Sequence, residues 1–468
     1  MDRAAVERAV GLAGLEWAPG PDDEITGGDP LFDSPHRLAE GGAVLRLLTG
    51  AAAAELWSLR TGRRQQVVVD ARHAAAELLS GRRVQVVDPD RRPDWAQIVR
   101  SASVVGIYAT RDDRHVQLHG SFHDGPVVLD ELALPPDAPR EAIEAAVAGR
   151  DSFELEAALV AQRLCGGVVL APAEWAEHPQ AHAIAGRPAV TLTRIGDAPR
   201  EPMPDGDRPT SGVRVLDLTR VLAGPTAAKV MAEHGADVLH VSAPGLEHGG
   251  PFEIDTGFGK RQTFLDMRVD EELERLRELA RDADVFSQGY RLGALAARGL
   301  GPEQLAALRP GIVYVSENCY GPEGPWSVRP GWEQLAQAAT GMSWREGAAV
   351  GLPPRLAPAA VNDYGTGFLA AYGALTALGR RATEGGSWHV QVSLCQTAEW
   401  YQRLGDNDAP AGPGFGGEDA DAYLVERDTP GFGVVRHVPP SVWMSETPPR
   451  FDLPPSPLGT HSPEWLLR

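Results

Sequence analysis

The sequence predicts an α/β fold: a parallel sheet covered by helices on both faces, joined to a smaller α+β domain. Three observations predict it. From residue 212 onward, short apolar β-branched runs alternate with helical segments, the pattern of a parallel sheet with crossover helices. Residues 101–185 instead combine a hairpin pattern with helices. The 468 residues are 43% apolar and 23% charged, which places the chain among folded proteins of more than one domain.

The elements follow in order. The first forty residues are loop-rich, with APGPDDE and then TGGDPLFDSP. An alanine-rich helix is expected from Glu40 to Leu59, ended by Arg60-Thr61-Gly62-Arg63. Gln66 to Asp70 is a buried strand. Val104 to Tyr108 and His115 to Leu118 flank the polar turn Arg111-Asp112-Asp113 as a hairpin, and Glu141 to Ala148 and Ser152 to Leu164 are helices. Residues 186–210, rich in proline, aspartate and arginine, read as a linker. Val213 to Leu218 is a strand, Leu222 to Pro225 a turn, and the helix that follows stops at His234-Gly235. Strands are expected at Asp237 to Val241, Asp284 to Phe286 and Ile312 to Ser316. Residues 403–430, rich in glycine, aspartate and proline, read as a linker or mobile loop.

Composition excludes several functions. Acidic residues number 64 and basic ones 44, a net charge of −20 that disfavours nucleic acid and anionic membranes as partners. The three cysteines, Cys165, Cys319 and Cys395, are odd in number and widely spaced, so neither a disulfide framework nor a structural metal site is expected. A cytoplasmic location fits them, as does the absence of a signal-like start or a long apolar run. No GxGxxG follows a strand, which argues against a nicotinamide dinucleotide. Only two lysines occur, Lys229 and Lys260.

The chain also resembles itself. Ala51 to Asp70 and Ala371 to Ser393 are each an alanine-rich helix, a basic stop with glycine, and a β-branched strand. Two copies of one unit account for this; the alternative is two generic helix-glycine-strand units, which α/β proteins produce freely.

The second half resembles the class III CoA-transferases, the family of formyl-CoA transferase and the carnitine CoA-transferases. The residues that carry the resemblance lie in order over roughly 190 positions: Gly212 to Pro225, His234 to Val241, Gly259 to Met267, Ala283 to Gly293, Arg329 to Gln337 and Asn362 to Gly367. The first half resembles the later portion of the same family, with Tyr108 to Leu118 similar to the opening hairpin of its small domain and Ala171 to Gln180 to its return segment. The resemblance implies a Rossmann-like CoA-transferase large domain, a small domain, and a fused pseudo-dimer of two partial copies. The divisions implied are 1–100 (partial large domain of the first copy), 101–185 (small domain), 186–210 (linker), 211–402 (CoA-binding large domain) and 403–468 (glycine-rich loop and return segment). Asp363 lies 22 residues before Gly385, and the same count back from Gly62 lands on Glu40. The first copy therefore offers a glutamate where the second has its aspartate, without CoA-binding strands.

The chemistry implied is movement of CoA between two carboxylic acids, with acyl-CoA as substrate and no permanently bound cofactor or metal. A carboxylate can hold an acyl group as a mixed anhydride and then CoA as a thioester, provided it is ionised and near hydrogen-bond donors. An aspartate at a helix start is by itself a cap; the resemblance assigns Asp363 as the nucleophile, and Glu333, beside Trp332, matches an acidic position near the family's active site. CoA is expected at Arg220, Val221, Leu222, Ala223, Lys260, Arg261, Tyr290, Arg291 and Arg329, because its phosphates need cations and backbone donors. Gly365 and Gly367 would permit close approach of CoA or a loop. Racemases of the superfamily place a histidine where Trp332 stands, so CoA transfer is favoured over racemisation; the other alternative is an acyl-CoA-binding protein without catalysis. His234 and His240 read as packing residues. Ser242 and Gly289 stand where the family has glutamate and asparagine, and Gly414-Phe-Gly-Gly417 is the nearest match to its mobile glycine loop. The expected partners are an acyl-CoA and a small carboxylic acid, and the expected state is a monomer, as an intramolecular pseudo-dimer, or a homodimer.

Overall fold

The computed structural model describes residues 1, 3–15, 20, 22–95, 103–246, 249–407 and 414–466. Its principal sheet has seven strands: β1 (Val190–Gly196), β2 (Arg214–Leu218), β3 (Asp237–Ser242), β4 (Lys260–Phe264), β5 (Val285–Gln288), β6 (Val313–Asn318) and β7 (Ser387–Ser393). They lie in the order β4-β3-β2-β5-β6-β7-β1. Every neighbouring pair is parallel except β7 with β1. Chain order reverses direction between β2 and β5, which makes that gap the switch point of the sheet. All four residues of β5 are buried, as a strand covered on both faces requires.

Six helices position the site: α1 (Leu38–Thr61), α2 (Ala71–Glu77), α3 (Ala223–Glu233), α4 (Glu333–Ala339), α5 (Val361–Glu384) and α6 (Leu394–Arg403). Helices α1 and α5 are both 24 residues long and pack against each other, and α5 also packs on α3. The approach of α5 to α3 requires Gly367, where a Cβ would stand 2.5 Å from the Ala223 carbonyl oxygen.

The two halves share a local arrangement. Helix α5 leads to β7, which pairs parallel with β6 and antiparallel with β1. Helix α1 leads to the strand Val67–Asp70, which pairs parallel with Glu24–Thr26 and antiparallel with Val442–Met444. In each case the antiparallel partner comes from the other half of the chain.

Two segments depart from their compositional reading. The expected linker 186–210 contains β1, which closes the principal sheet. Its alternating Val190-Thr-Leu-Thr-Arg-Ile195 is an ordinary edge strand hidden among prolines and charges. The expected loop 403–430 holds a short helix, Gly417–Asp421, and the strand Val425–Thr429, which forms a hairpin with Gly433–His437. Residues 408–413 of that loop, and the expected boundary at 100/101, lie outside the described residues. Between these segments Gly106–Ala109, His115–His119 and Cys165–Val168 form an antiparallel sheet packed on helices around Val116, Leu118, Ile143 and Leu155. Among the described residues no helix is long and apolar enough to cross a membrane.

A buried ion cluster ties the halves together. Arg46 of α1 donates to Glu233 of α3 at 2.6 Å and lies 3.0 Å from Glu77 of α2. The two carboxylates hold the guanidinium above its ordinary pKa, while burial pushes Glu233 up to about 7. Removing one partner strands a buried charge. Arg46→Met should lower stability by about 3–5 kcal/mol in urea denaturation; a loss within about 1 kcal/mol would show that the cluster does not join the halves.

Candidate active site

A cavity of about 290 Å³ opens at the carboxyl ends of β2, β5, β6 and β7, across the switch point. The turn after β2 contributes Arg220, Val221, Leu222 and Ala223, and the turn after β5 contributes Tyr290 and Arg291. Asp363, in the first turn of α5, reaches the same cavity. Seven of the eleven residues singled out from the sequence thus line one space at the location where open α/β sheets bind ligands.

Asp363 is held from below. Its N–H donates to Glu333 Oε2 at 2.6 Å, and the Asn362 N–H donates to Glu333 Oε1 at 3.3 Å. Gln337 Nε2 also donates to Glu333 Oε1, at 2.6 Å. Glu333 thereby satisfies two orphan N–H groups at the start of α5, the task of a capping side chain. Burial pushes Glu333 up to about 7. Burial, then the Glu333 carboxyl, hold Asp363 well above the ordinary aspartate range; Arg82 opposes them. The arrangement presents a desolvated carboxyl of raised basicity to the cavity.

The turn after β2 is strained. Val221 has φ 68°, a left-handed conformation that a β-branched residue rarely adopts. Its fold places the backbone and Arg220 toward the cavity, and the 11-residue helix α3 begins directly after it. The helix start and Arg220, with Arg291 opposite, give the cavity positive potential on one side.

Four predicted residues are not in this cavity. Glu333 lies behind Asp363. Lys260 is buried under the sheet, donating to Asp217 Oδ2 at 2.9 Å and to the Pro225 carbonyl at 2.8 Å. Arg261 is paired with Asp237 at 2.9 Å and with the Glu464 carbonyl. Arg329 bonds Glu156 at 2.7 Å and the Gly166 carbonyl, with its guanidinium 4.6 Å from the Trp326 ring centroid. These arginines join segments of the chain, a role that spacing alone does not separate from phosphate binding.

Other expectations are redrawn as well. Gly365 and Gly367 face Thr397 and α3, so both serve helix packing. Gly414-Phe-Gly-Gly417 does not line the cavity; the Phe415 N–H donates to the Leu31 carbonyl and its ring meets Phe32 edge-on. His234 is fully buried and pushed down to about 3, and the His240 Nδ1–H donates to Asp217 Oδ2 at 3.1 Å; neither histidine lines the cavity. Trp332 lines the cavity, donates to Ser121 Oγ at 3.0 Å and stacks on His119.

Sequence reading missed the first-half wall. Ser121, His123, Asp124 and Cys165 line the cavity opposite the strand ends. Ser121 and Phe122 both have positive φ, at 45° and 69°, in a turn whose only glycine, Gly120, stands before these two positions and not at them. Glu317, Asn318 and Cys319 at the end of β6 were also missed, although a glutamate within an apolar strand pattern was a usable signal.

Comparison with known proteins identifies the family. The model of "CoA-transferase family III" matches residues 210–413. An acyl-CoA transferase of Gibberella moniliformis is 32% identical over 401 residues, covering 78% of this chain and 70% of that protein. The acetyl-coenzyme A transferase nodX of Hypoxylon pulicicidum is 34% identical over 332 residues, covering 65% of this chain and 55% of that protein. The chain thus spans between about half and 70% of the length of these relatives. A solved structure of Rv3272 from Mycobacterium tuberculosis is 31% identical and covers 42% of this chain and 57% of its own, with a TM-score of 0.40. By the extent of the Gibberella match and the family model together, the chain belongs to CoA-transferase family III.

Proposed function

We propose that the chain moves CoA from an acyl-CoA to a carboxylic acid, with Asp363 as the covalent nucleophile. The observation that carries this is the Asp363 carboxyl at the switch-point cavity, desolvated, fixed through Glu333, and facing Arg220 and Arg291. The ionised carboxylate attacks the thioester carbonyl and expels CoA thiolate, forming a mixed anhydride. The thiolate attacks the aspartyl carbonyl, the donor acid departs, and CoA remains as an aspartyl thioester. The acceptor carboxylate attacks that thioester and expels the thiolate, which then attacks the acceptor carbonyl of the new anhydride and frees Asp363. Each step exchanges one acyl bond for another, with no net proton or electron consumed. Arg220, Arg291 and the start of α3 would hold the CoA phosphates, while backbone donors of the 221–223 turn would meet the pantetheine arm.

The halves read as two partial, complementary copies. At the start of α1 the Glu40 N–H donates to Asp29 Oδ2 at 2.8 Å, as Asp363 does to Glu333 in α5. Burial pushes Asp29 up to about 6, repeating the raised acid behind the helix start. Glu40, however, is neutralised by Arg37 at 3.2 Å and faces no counterpart of the β2 and β5 turns among the described residues. One chain would therefore hold one CoA site and one inert relic of a second.

A second reading keeps the fold but exchanges an α-proton of the acyl-CoA. His123 Nε2 lies 3.5 Å from Asp124 Oδ1 at the cavity wall, a possible base pair in place of the histidine that Trp332 displaces. Deuterium uptake into an acyl-CoA without acceptor acid separates the readings.

Incubation with an acyl-CoA panel, hydroxylamine trapping and peptide mass spectrometry should give one modification per chain, at Asp363 and not at Glu40. Asp363→Ala should lower transfer at least about 1,000-fold, and Glu40→Gln by less than about twofold. An unmodified Asp363 in turning-over protein would refute the nucleophile; adducts at both positions would refute the relic.

The pH dependence has a definite sign. Asp363 must be ionised and its pKa is raised, so activity falls as pH drops through the titration of the carboxyl cluster. Glu333→Gln removes the larger neighbouring charge and should move the acid limb of kcat/KM down by about one unit. An unmoved limb would detach Glu333 from Asp363.

A further inference from the structure

The carboxyl of Glu317 is not used by the chemistry above, yet it stands at the same cavity. It projects from the end of β6 between the turns after β2 and β5. A Cβ on Gly289 would lie 2.6 Å from Glu317 Oε1, and one on Gly224 would lie 2.7 Å from it. Any side chain at 289 would thus displace this carboxyl from the wall; glycine there makes its room. The Gly224 N–H donates to the group, while Oε2 has no partner among the described residues.

The charges around it favour the neutral acid. Asp217 lies beneath and repels an ionised Glu317, Asp363 faces the same space, and Lys260 is already engaged by Asp217. Burial and Asp217 together push Glu317 up to about 8. A neutral carboxyl differs from a carboxylate in one decisive way: it carries an O–H donor. In a desolvated site an unpaired donor is costly unless a ligand completes it.

We propose that Glu317 is a substrate-contacting residue, its protonated carboxyl donating a hydrogen bond to the acyl oxygen of the thioester that Asp363 attacks. This rests on the CoA-transferase reading. Glu317 forms no covalent bond and keeps its proton throughout; its donor is matched to an oxygen that gains charge as Asp363 adds to the carbonyl. Free CoA, which has no acyl oxygen, gains nothing from it.

The test compares acetyl-CoA and free CoA binding to the full chain, wild type, Glu317→Gln and Glu317→Leu, by titration calorimetry, alongside kcat/KM from pH 6 to 10. Glu317→Leu should weaken acetyl-CoA about tenfold while changing CoA by less than about twofold. Glu317→Gln, whose amide still donates, should stay within about threefold of wild type at neutral pH. The wild type should lose kcat/KM above about pH 8 as the donor ionises, and Glu317→Gln should not. Circular dichroism of both variants guards against misfolding, with Glu317→Gln carrying the decision if the leucine variant does not fold. Equal loss for CoA and acetyl-CoA, or an alkaline limb that persists in Glu317→Gln, overturns the role of Glu317 and leaves the transferase reading intact. A wild type that binds neither ligand overturns both.

Discussion

The packing of α1 against α5 is the constraint on which the rest depends. Two alanine- and glycine-rich helices of equal length pack against each other, and this fixes the direction in which both starts point. Small side chains let them approach; a Cβ on Gly365 of α5 would stand 3.2 Å from the Leu45 side chain of α1. Because α5 cannot shift without α1, Asp363 is placed by the first half of the chain as much as by its own sheet. The first half also supplies Arg82, which tempers the charge on Asp363, and the cavity wall at Ser121 to Asp124.

The same constraint explains why return strands cross between halves. Helix α5 leaves its sheet with an open edge at β7, and β1 arrives from the small domain of the first half to cover it. The Val67–Asp70 strand has the corresponding open edge, covered by Val442–Met444. Covering an edge removes unpaired backbone groups. Neither half completes its own sheet, so the interlocking is built into the strand pairing and the Arg46 cluster.

Much of this was legible in the sequence, for reasons that differ by residue. Apolar period and glycine stops revealed β2, β3, β5, β6, β7, α1 and α5, since burial on both faces leaves a strong compositional trace; β4, whose Lys260-Arg-Gln-Thr-Phe264 is mostly polar, left none. The turns after β2 and β5 were found through the family resemblance of Gly212–Pro225 and Ala283–Gly293, with which their place after strand ends agrees. Strand β1 was obscured by its flanks, and the hairpin near 425–437 by exposed residues such as Glu426 and Arg436 that an edge pair tolerates. Lys260, Arg261 and Arg329 were misassigned because a cation after a strand looks the same in sequence whether it meets a phosphate or a carboxylate. Ser121 and His123 join the cavity only through long-range packing, which no local period reports.

The lysines show how electrostatics can serve the site without touching a ligand. Both are buried and paired: Lys229 with Asp255 at 2.9 Å and Lys260 with Asp217 at the same distance. Lys260 also binds the Pro225 carbonyl, and Asp217 accepts from the Thr219 N–H and hydroxyl, so one ion pair clamps both ends of the 219–225 turn. A compact ammonium with three donors suits such a closed site better than a guanidinium fork. With both ends clamped, Val221 can be held at a positive φ that it would not otherwise keep, because the surroundings over-determine it. That pairing also bears on Glu317: Lys260 is engaged by Asp217, and burial and Asp217 push the Glu317 carboxyl up. The ion pair that clamps the 219–225 turn thus also leaves Glu317 without an ion-pair partner among the described residues.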